Sequence, residues 1–580
     1  MIWCPYSERR RAVRKLAATA VVAALALAAC GRTAPAARVE ADWFVDRATE
    51  TGLRFEHFAG MSGGLYDPEL IGPGVALFDY DSDGDLDVLF VQGDRLDPAG
   101  SRPTTPAPAG APRRARLFRN DLAVGPDGTR ALHFTDVTDQ SGLDSRGYGM
   151  GVAIGDYDGD GCPDVYLTKF GSNQLFHNNC NGTFTDVTIA SGTSDSGWSV
   201  PAVFFDFDRD GHPDLFVGHY LHYDVEHHTP CFGVSGVPDY CPPGARTPQP
   251  NRLFHNNGHG TFTDVTARAG MAAEFGGALG AVAEDFDGDG WPDLYVANDS
   301  RPNQLWINQR NGTFRNAAAG AGAALGSDGL AKASMGVDAG DFDNDGDDDI
   351  IVTTLTGQGS NLFVNQGGGL FDEQSARLGI HAPSLPYTGF GAAWFDFDND
   401  GWLDLFSANG LVESRGNTQP IGQRMQLFRN LRGRFEDVTD RAGRVFSISG
   451  IGRGAAFGDI DNDGDTDIVV ANDNGPARLL VNQVGTRNHW IGLRLVGTDG
   501  RREMVGARVE CVEADGAIKW RRAHTDGSFA SAGDPRVIVG LGPTAGLLRA
   551  VRVHWPDGRT DEWTSLSIDH YVTLKESPAK

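Results

Sequence analysis

The sequence is poor in the motifs of familiar catalysis. It holds no P-loop and no His-Glu-x-x-His segment, so nucleotide-phosphate and metalloprotease chemistry lack their usual scaffolds. Basic residues are scarce. Fifty Lys and Arg against 77 Asp and Glu leave a formal net charge of −27, which argues against nucleic acid as a partner. The apolar run Leu16–Ala29 is too short to span a bilayer. Cysteine is sparse as well, with seven in 580 residues.

What is abundant is one nine-residue phrase, Asp-x-Asp-x-Asp-Gly-x-x-Asp, present seven times. Its carboxylates are Asp79, Asp81, Asp83 and Asp87; Asp156, Asp158, Asp160 and Asp164; Asp206, Asp208, Asp210 and Asp214; Asp285, Asp287, Asp289 and Asp293; Asp341, Asp343, Asp345 and Asp349; Asp396, Asp398, Asp400 and Asp404; and Asp459, Asp461, Asp463 and Asp467. Oxygens at positions 1, 3, 5 and 9, with a backbone carbonyl from position 7, suit one hard cation, and the Gly at position 6 makes the sharp turn. Calcium fits best, because it accepts many oxygen ligands in loose geometry, and about seven ions are expected. No side chain at those four positions is a thiol or an imidazole, which argues against zinc and copper. The phrase begins like an EF-hand, but position 12 is Phe90, Leu167, Val217, Val296, Val352, Ser407 or Val470, never Glu. A short β-rich run follows instead.

The repeat extends beyond the loop. Five residues before each first Asp stands Gly74, Gly151, Gly280, Gly336, Gly391 or Gly454, with Pro201 in the third copy. Downstream comes Leu-aromatic-x-Asn, ending at Asn120, Asn178, Asn256, Asn308, Asn365 and Asn430, with Leu479-Leu-Val-Asn482 in the seventh unit. A third signature, Phe-x-Asp-Val-Thr, starts at Phe134, Phe184, Phe262 and Phe435, and looser versions start at Phe314 and Phe371. Each unit therefore offers four short strands, and the fold class is all-β: a seven-bladed β-propeller with calcium-loop blades. The seventh unit lacks its fourth strand. Residues 44–49, which read Phe-Val-Asp-Arg-Ala-Thr, are expected to supply it. In such a meander the calcium loops line one face. The insertions 93–116, 218–250 and 410–424 fall on the other, where binding is expected.

The remaining organisation follows from local cues. Residues 1–29 read as an export signal ending in Leu-Ala-Ala before Cys30, a pattern that resembles a bacterial lipobox. It implies lipidation of Cys30, with residues 30–42 as an anchor linker and an outer-membrane or cell-surface location; a periplasmic or secreted protein is the alternative. Cys231 and Cys241, inside one insertion, read as a loop-stapling disulfide, Cys162 and Cys180 as a possible second pair, and Cys511 as a buried thiol. Residues 43–484 form the propeller, and 488–575 read as a small β-sandwich-like domain.

The repeats resemble the FG-GAP/VCBS type found in integrin α-subunit propellers. The tail, with Asn488-His-Trp490, Gly506-Ala-Arg-Val509, Gly540-Leu-Gly542 and Trp555-Pro-Asp-Gly558, resembles the ASPIC/UnbV domain. Together they look like bacterial relatives of the cartilage acidic protein family. The Arg501-Arg-Glu-Met-Val-Gly506 stretch departs from the family pattern of Asn-Arg-x-Ala-Ile-Gly type. The resemblance implies an extracellular, calcium-dependent recognition or adhesion protein, whose partner would be a protein or glycan on the face opposite the calcium loops. The alternative is a secreted hydrolase or metal-dependent oxidoreductase with a site on the insertion-bearing face or at the mouth of the central channel. His219, His222, His227 and His228 are its candidate metal ligands, but their spacing matches no standard zinc motif, and a solvated loop whose aromatic residues pack on the propeller is the favoured reading of the stretch.

Overall fold

The computed structural model describes residues 41–96, 113–233, 236–412, 421–543 and 548–578. The export segment with Cys30, most of the 93–116 insertion and the centre of the 410–424 insertion lie outside the described residues. No helix among the described residues is long and apolar enough to cross a membrane.

Seven antiparallel four-stranded units follow one another from Val75 to Asn482, the second and third joined into one eight-stranded sheet where Ser196 to Trp198 pair with Phe170 to Ser172. In the first, Val75–Phe78, Asp87–Phe90, Arg116–Asn120 and Phe134–Asp136 form a simple meander, with the first Asp loop joining its first two strands. The units are called blades 1 to 7 below. Blade 7 takes its fourth strand from the other end of the chain. Phe44–Asp46 pairs antiparallel with Arg478–Asn482, placing Phe44 opposite Asn482. Blades 1 and 2 use the same register, with Phe134 opposite Asn120 and Phe184 opposite Asn178.

The first strands of successive blades pack on one another in cyclic order, and Gly452–Gly458 of blade 7 packs back onto Val75–Phe78 of blade 1. That ring explains the recurrent glycines. A Cβ at Gly151 would run into the Val200 carbonyl of blade 3, one at Gly280 into Met335, and one at Gly391 into Arg453. Seven apolar clusters fill the seven gaps between consecutive blades. Between blades 7 and 1, for example, Val469 and Leu479 meet Val88, Phe90 and Phe118. Each large apolar side chain buried in this way contributes about 1.5–3 kcal/mol, so the core is distributed around the ring and not concentrated in one place.

After Asn488 the chain builds two further sheets. One orders Val537–Gly542, His489–Val496 and Tyr571–Lys575; the other orders Ile518–Arg522, Arg508–Val512, Ala550–His554 and Thr560–Trp563. Ile491, Val509, Cys511, Val539, Val551 and Trp555 pack between them, and the Cys511 thiol is free and buried.

This small domain sits on the Asp-loop end of the ring. Arg508 donates to the Gly346 carbonyl of loop 5, Arg521 to the Gly401 carbonyl of loop 6, and Arg536 to the Asp459 carbonyl of loop 7. From it, residues 525–534 descend among the first strands. Thr525 Oγ1 donates to the Ile154 carbonyl, and Val337 N–H donates to the Ser528 carbonyl. Val152 N–H reaches the Ala530 carbonyl, and Ala532 exchanges backbone bonds with Val75 and Leu77. Phe529 is fully buried against Phe390. The channel mouth, a candidate catalytic site on sequence grounds, is thus filled by the protein's own backbone.

Candidate metal centre

Each Asp loop is shaped by hydrogen bonds its own sequence supplies. In loop 1 the position-1 carboxylate accepts from the backbone N–H groups of Asp83 (3.1 Å) and Gly84 (2.9 Å), which curls the chain around it. Gly84 has φ +94°, where an L side chain would be strained. Asp83 Oδ1 then accepts from Asp85 N–H at 2.9 Å. The same contacts recur in loop 7, from Asp463, Gly464 and Asp465.

Position 9 has a different task. Asp87 Oδ2 accepts from Tyr80 N–H at 3.0 Å and Oδ1 from Asn120 N–H at 2.8 Å, tying the loop to the third strand. Asp164, Asp214, Asp293, Asp404 and Asp467 make both bonds in their own blades, while Asp349 makes the bond to Asn365.

Position 3 is the revealing one. Asp81, Asp208, Asp343, Asp398 and Asp461 each hold a buried Oδ1 with no hydrogen-bond partner. A buried carboxylate oxygen left unpaired is costly, and five at one position of one repeated loop point to a cation as their common partner. The carboxylates of positions 1, 3 and 5 converge: ligand oxygens of Asp79, Asp81 and Asp83 lie within 4.8 Å of one another, as do those of Asp156, Asp158 and Asp160. In loop 1 the set is all oxygen, which matches a calcium ion; in blades 2 and 3 a ring nitrogen, of His177 or His255, joins the carboxylate cluster.

The electrostatics agree. Burial raises the loop carboxyls above their ordinary 3.8: Asp79 to about 6, Asp164 to about 7, and Asp293 and Asp396 to about 8. Repulsion from neighbouring loop carboxylates pushes Asp79, Asp293 and Asp396 in the same direction. These carboxyls hold protons more tightly than free ones, and a divalent ion competes with the protons for the same oxygens.

Three features are not evident from the phrase itself. The variable residue of Leu-aromatic-x-Asn points at the loop. His177 Nδ1 lies 3.3 Å from Asp158 Oδ2, His255 Nδ1 lies 3.4 Å from Asp208 Oδ2, and Arg429 pairs with Asp398 and Asp400. The Asn after it stitches blades together, since its Nδ2 donates to the position-2 carbonyl of the preceding blade's loop. Asn178 reaches Tyr80, Asn256 reaches Tyr157, Asn308 reaches Phe207, Asn365 reaches Phe286, Asn430 reaches Phe342, and Asn482 reaches Phe397. Finally, the C-terminal domain covers some loops more than others. Tyr571 Oη donates to Asp459 Oδ2 at 2.8 Å, and Asp396 and Asp459 are buried, whereas Asp83 is exposed.

The four histidines do not converge. His219 is buried, its Nε2 2.7 Å from Asp195 and its Nδ1 at the Pro250 carbonyl. His228 bridges Tyr223 Oη and the Gly64 carbonyl, His227 pairs with Asp224 at the surface, and His222 is exposed. His219, His227 and His228 each serve a different local contact and His222 is exposed, so the four bring no common ligand set together. The stretch Gly60-Met-Ser62-Gly-Gly64 has the spacing of a nucleophile elbow, but Ser62 lies in irregular backbone just before a bend, its Oγ accepting from Gly64 N–H, outside any strand-to-helix turn.

Around the opposite channel mouth the 218–250 insertion folds down. Tyr220 and Tyr223 pack on Trp198, and Arg246 pairs with Asp67. Cys231 and Cys241 are bonded there, and Cys162 and Cys180 in blade 2.

Comparison with known proteins places these elements. Residues 156–217, 244–296, 285–352 and 341–407 match an FG-GAP-like repeat, and residues 497–580 match the ASPIC and UnbV domain. The chain is 28% identical to human cartilage acidic protein 1 over 51% of its own length and 43% of that protein, and 26% identical to the Xenopus tropicalis protein over 51% and 44%. The match thus spans less than half of those relatives. Among solved structures, similarity extends to an Agrocybe aegerita lectin that recognises non-reducing terminal N-acetylglucosamine (TM-score 0.36, 18% identity, 64% of this chain and 90% of that one). It also extends to a Bacillus licheniformis rhamnogalacturonan lyase (TM-score 0.27, 13% identity, 71% and 89%).

Proposed function

For a chain that joins FG-GAP-like repeats to an ASPIC and UnbV domain, we propose the role of a calcium-stabilised extracellular recognition or adhesion protein. The observation that carries the reading is the set of orphaned position-3 oxygens, one per loop in five of the seven loops. A cation in each loop completes the carboxylate set, fixes the loop end of every blade and neutralises the field against which the C-terminal domain docks. Calcium is structural here: when bound it supplies charge and coordination, and the aspartates orient it. Ligand binding then falls to the insertion-bearing face, because the C-terminal domain covers part of the Asp-loop face and residues 525–534 plug the channel. Protein or glycan is the ligand class. Lipidation of Cys30 would tether the assembly to a membrane, and the two disulfides suit an oxidising compartment.

The test uses mature protein loaded with calcium, probed against a glycan array and an extracellular protein library. Calcium-dependent retention of a ligand, lost when residues 224–240 are replaced by a short Gly-Ser linker, supports the assignment. Retention that ignores both calcium and that replacement overturns it.

A further inference from the structure

Blade 2 differs from its neighbours in one covalent bond. Cys162 occupies position 7 of its loop, the place whose carbonyl the spacing assigns to the ion, and Cys180 stands two residues beyond the stitching Asn178. The two sulfurs are bonded. In blade 3 the same positions hold His212 and Gly258, where a Cβ on the glycine would meet the His212 ring, and in blade 4 they hold Trp291 and Arg310.

The disulfide is built into the ligand network. Cys162 N–H donates to Asp160 Oδ1 at 2.9 Å, and Cys180 Sγ lies 3.3 Å from Asp160 Oδ2. Cys180 N–H donates to Asn178 Oδ1, and Asn178 N–H donates to Asp164 Oδ1 at 2.8 Å. Positions 5, 7 and 9 of the loop are therefore all within one or two bonds of the sulfur bridge. Cys162 is buried, while Cys180 is exposed and open to a soluble thiol.

We propose that the Cys162–Cys180 disulfide and the blade 2 cation form one redox-linked site, in which each stabilises the other; this rests on the calcium reading above, carried in blade 2 by the convergence of Asp156, Asp158 and Asp160, since Asp158 Oδ1 there accepts from Asp160 N–H. With the bond intact, position 7 is fixed against the third-strand turn, and the loop loses little freedom when the ion binds. Reduction proceeds by attack of a dithiol's thiolate on the exposed Cys180 sulfur, breaking the S–S bond and releasing Cys162 as a thiolate, which takes up a proton. The second thiolate of the reductant then attacks the mixed disulfide, forming the reductant's own disulfide and releasing Cys180, which is protonated in turn. Two electrons and two protons enter the protein, and the dithiol leaves oxidised. The reduced loop is freer and holds its ion less tightly. By reciprocity the ion must favour the oxidised pair by the same factor.

The experiment equilibrates the full-length mature protein in dithiothreitol redox buffers at saturating and at limiting free calcium. Alkylation and peptide mass spectrometry then read each cysteine pair, and elemental analysis counts bound calcium. Saturating calcium is expected to raise the reduced-to-oxidised buffer ratio needed to half-reduce Cys162–Cys180 by at least about tenfold, with Cys231–Cys241 unmoved. A Cys162→Ser/Cys180→Ser variant should bind one ion about tenfold more weakly, the other sites being unchanged. Calcium bound normally with an unmoved Cys162–Cys180 midpoint, or with both pairs shifting together, overturns the coupling alone. Absence of bound calcium overturns the calcium reading and the coupling together. Failure of the variant to fold leaves the wild-type midpoints to decide.

Discussion

Asn120 donates its Nδ2 hydrogen to the carbonyl of Ile460 at 2.9 Å, across 340 residues of sequence. The bond joins blade 1 to the loop of blade 7 and completes a circle of seven identical stitches, one per blade. The donor side chain is fully buried. The Asp loops and the ring closure are therefore one mechanical system: whatever orders a loop also orders the acceptor for the next blade's Asn.

Asn120→Ala removes a stitch and leaves the buried Ile460 carbonyl without a donor. The expected loss is about 1–3 kcal/mol, read as a lower denaturant midpoint with an unchanged m-value. Gln140→Ala, at an exposed position of the same blade, is the control and should be near neutral.

Phe529→Ala empties the centre of the plug, where the ring is buried against Phe390 with centroids 4.9 Å apart. A loss of about 3–5 kcal/mol is expected from transfer and cavity terms together. Thermal unfolding of the calcium-loaded protein checks it. A shift below 1 °C would mean that the plug contributes no stability to the ring.

Chelated protein should lose stability as pH rises. Folded, unloaded Asp79, Asp164 and Asp293 have carboxyls raised to about 6, 7 and 8 from an ordinary 3.8. A raised folded value gives a contribution that is full below about pH 4 and disappears as pH passes through the folded value. The melting temperature in chelator should therefore fall between pH 5 and pH 8.5. The calcium-loaded protein should show the opposite trend over pH 5 to 7, as protons cease to compete for the carboxylates.

Calcium should leave in two kinetic phases. Loops 5, 6 and 7 lie beneath the C-terminal domain, with Asp341, Asp396 and Asp459 buried, while loop 1 opens to solvent at Asp83. Stopped-flow mixing with a fluorescent chelator should resolve a slow class of about three ions that awaits local opening. Tyr571→Phe, which removes the bond to Asp459 Oδ2, should speed that class several-fold and leave the fast class unchanged.

Much of the propeller is legible in the sequence because its period is carried by residues with strict local duties. The Asp phrase makes its own turn, the glycines mark strands that approach a neighbouring backbone, and the Asn and Phe of the later signatures lie opposite each other in one register. The role of the Asn is not legible, because its acceptor belongs to another blade and nothing in a single repeat points there. The plug is hidden for the same reason. His524-Thr-Asp-Gly-Ser-Phe-Ala-Ser-Ala-Gly533 reads as an ordinary turn-rich loop until the ring is assembled around it. The histidine cluster misleads in the other direction: residues close in sequence point apart once the insertion folds onto Trp198 and Asp195.

The measurement that tests the central claim most directly is elemental analysis of the purified mature protein, paired with thermal unfolding before and after chelation. The account predicts about seven calcium ions per chain and a large fall in melting temperature on chelation, since each site held at about 100-fold its Kd contributes roughly 2.7 kcal/mol. A chain that carries no calcium and unfolds at one temperature with or without chelator would contradict it.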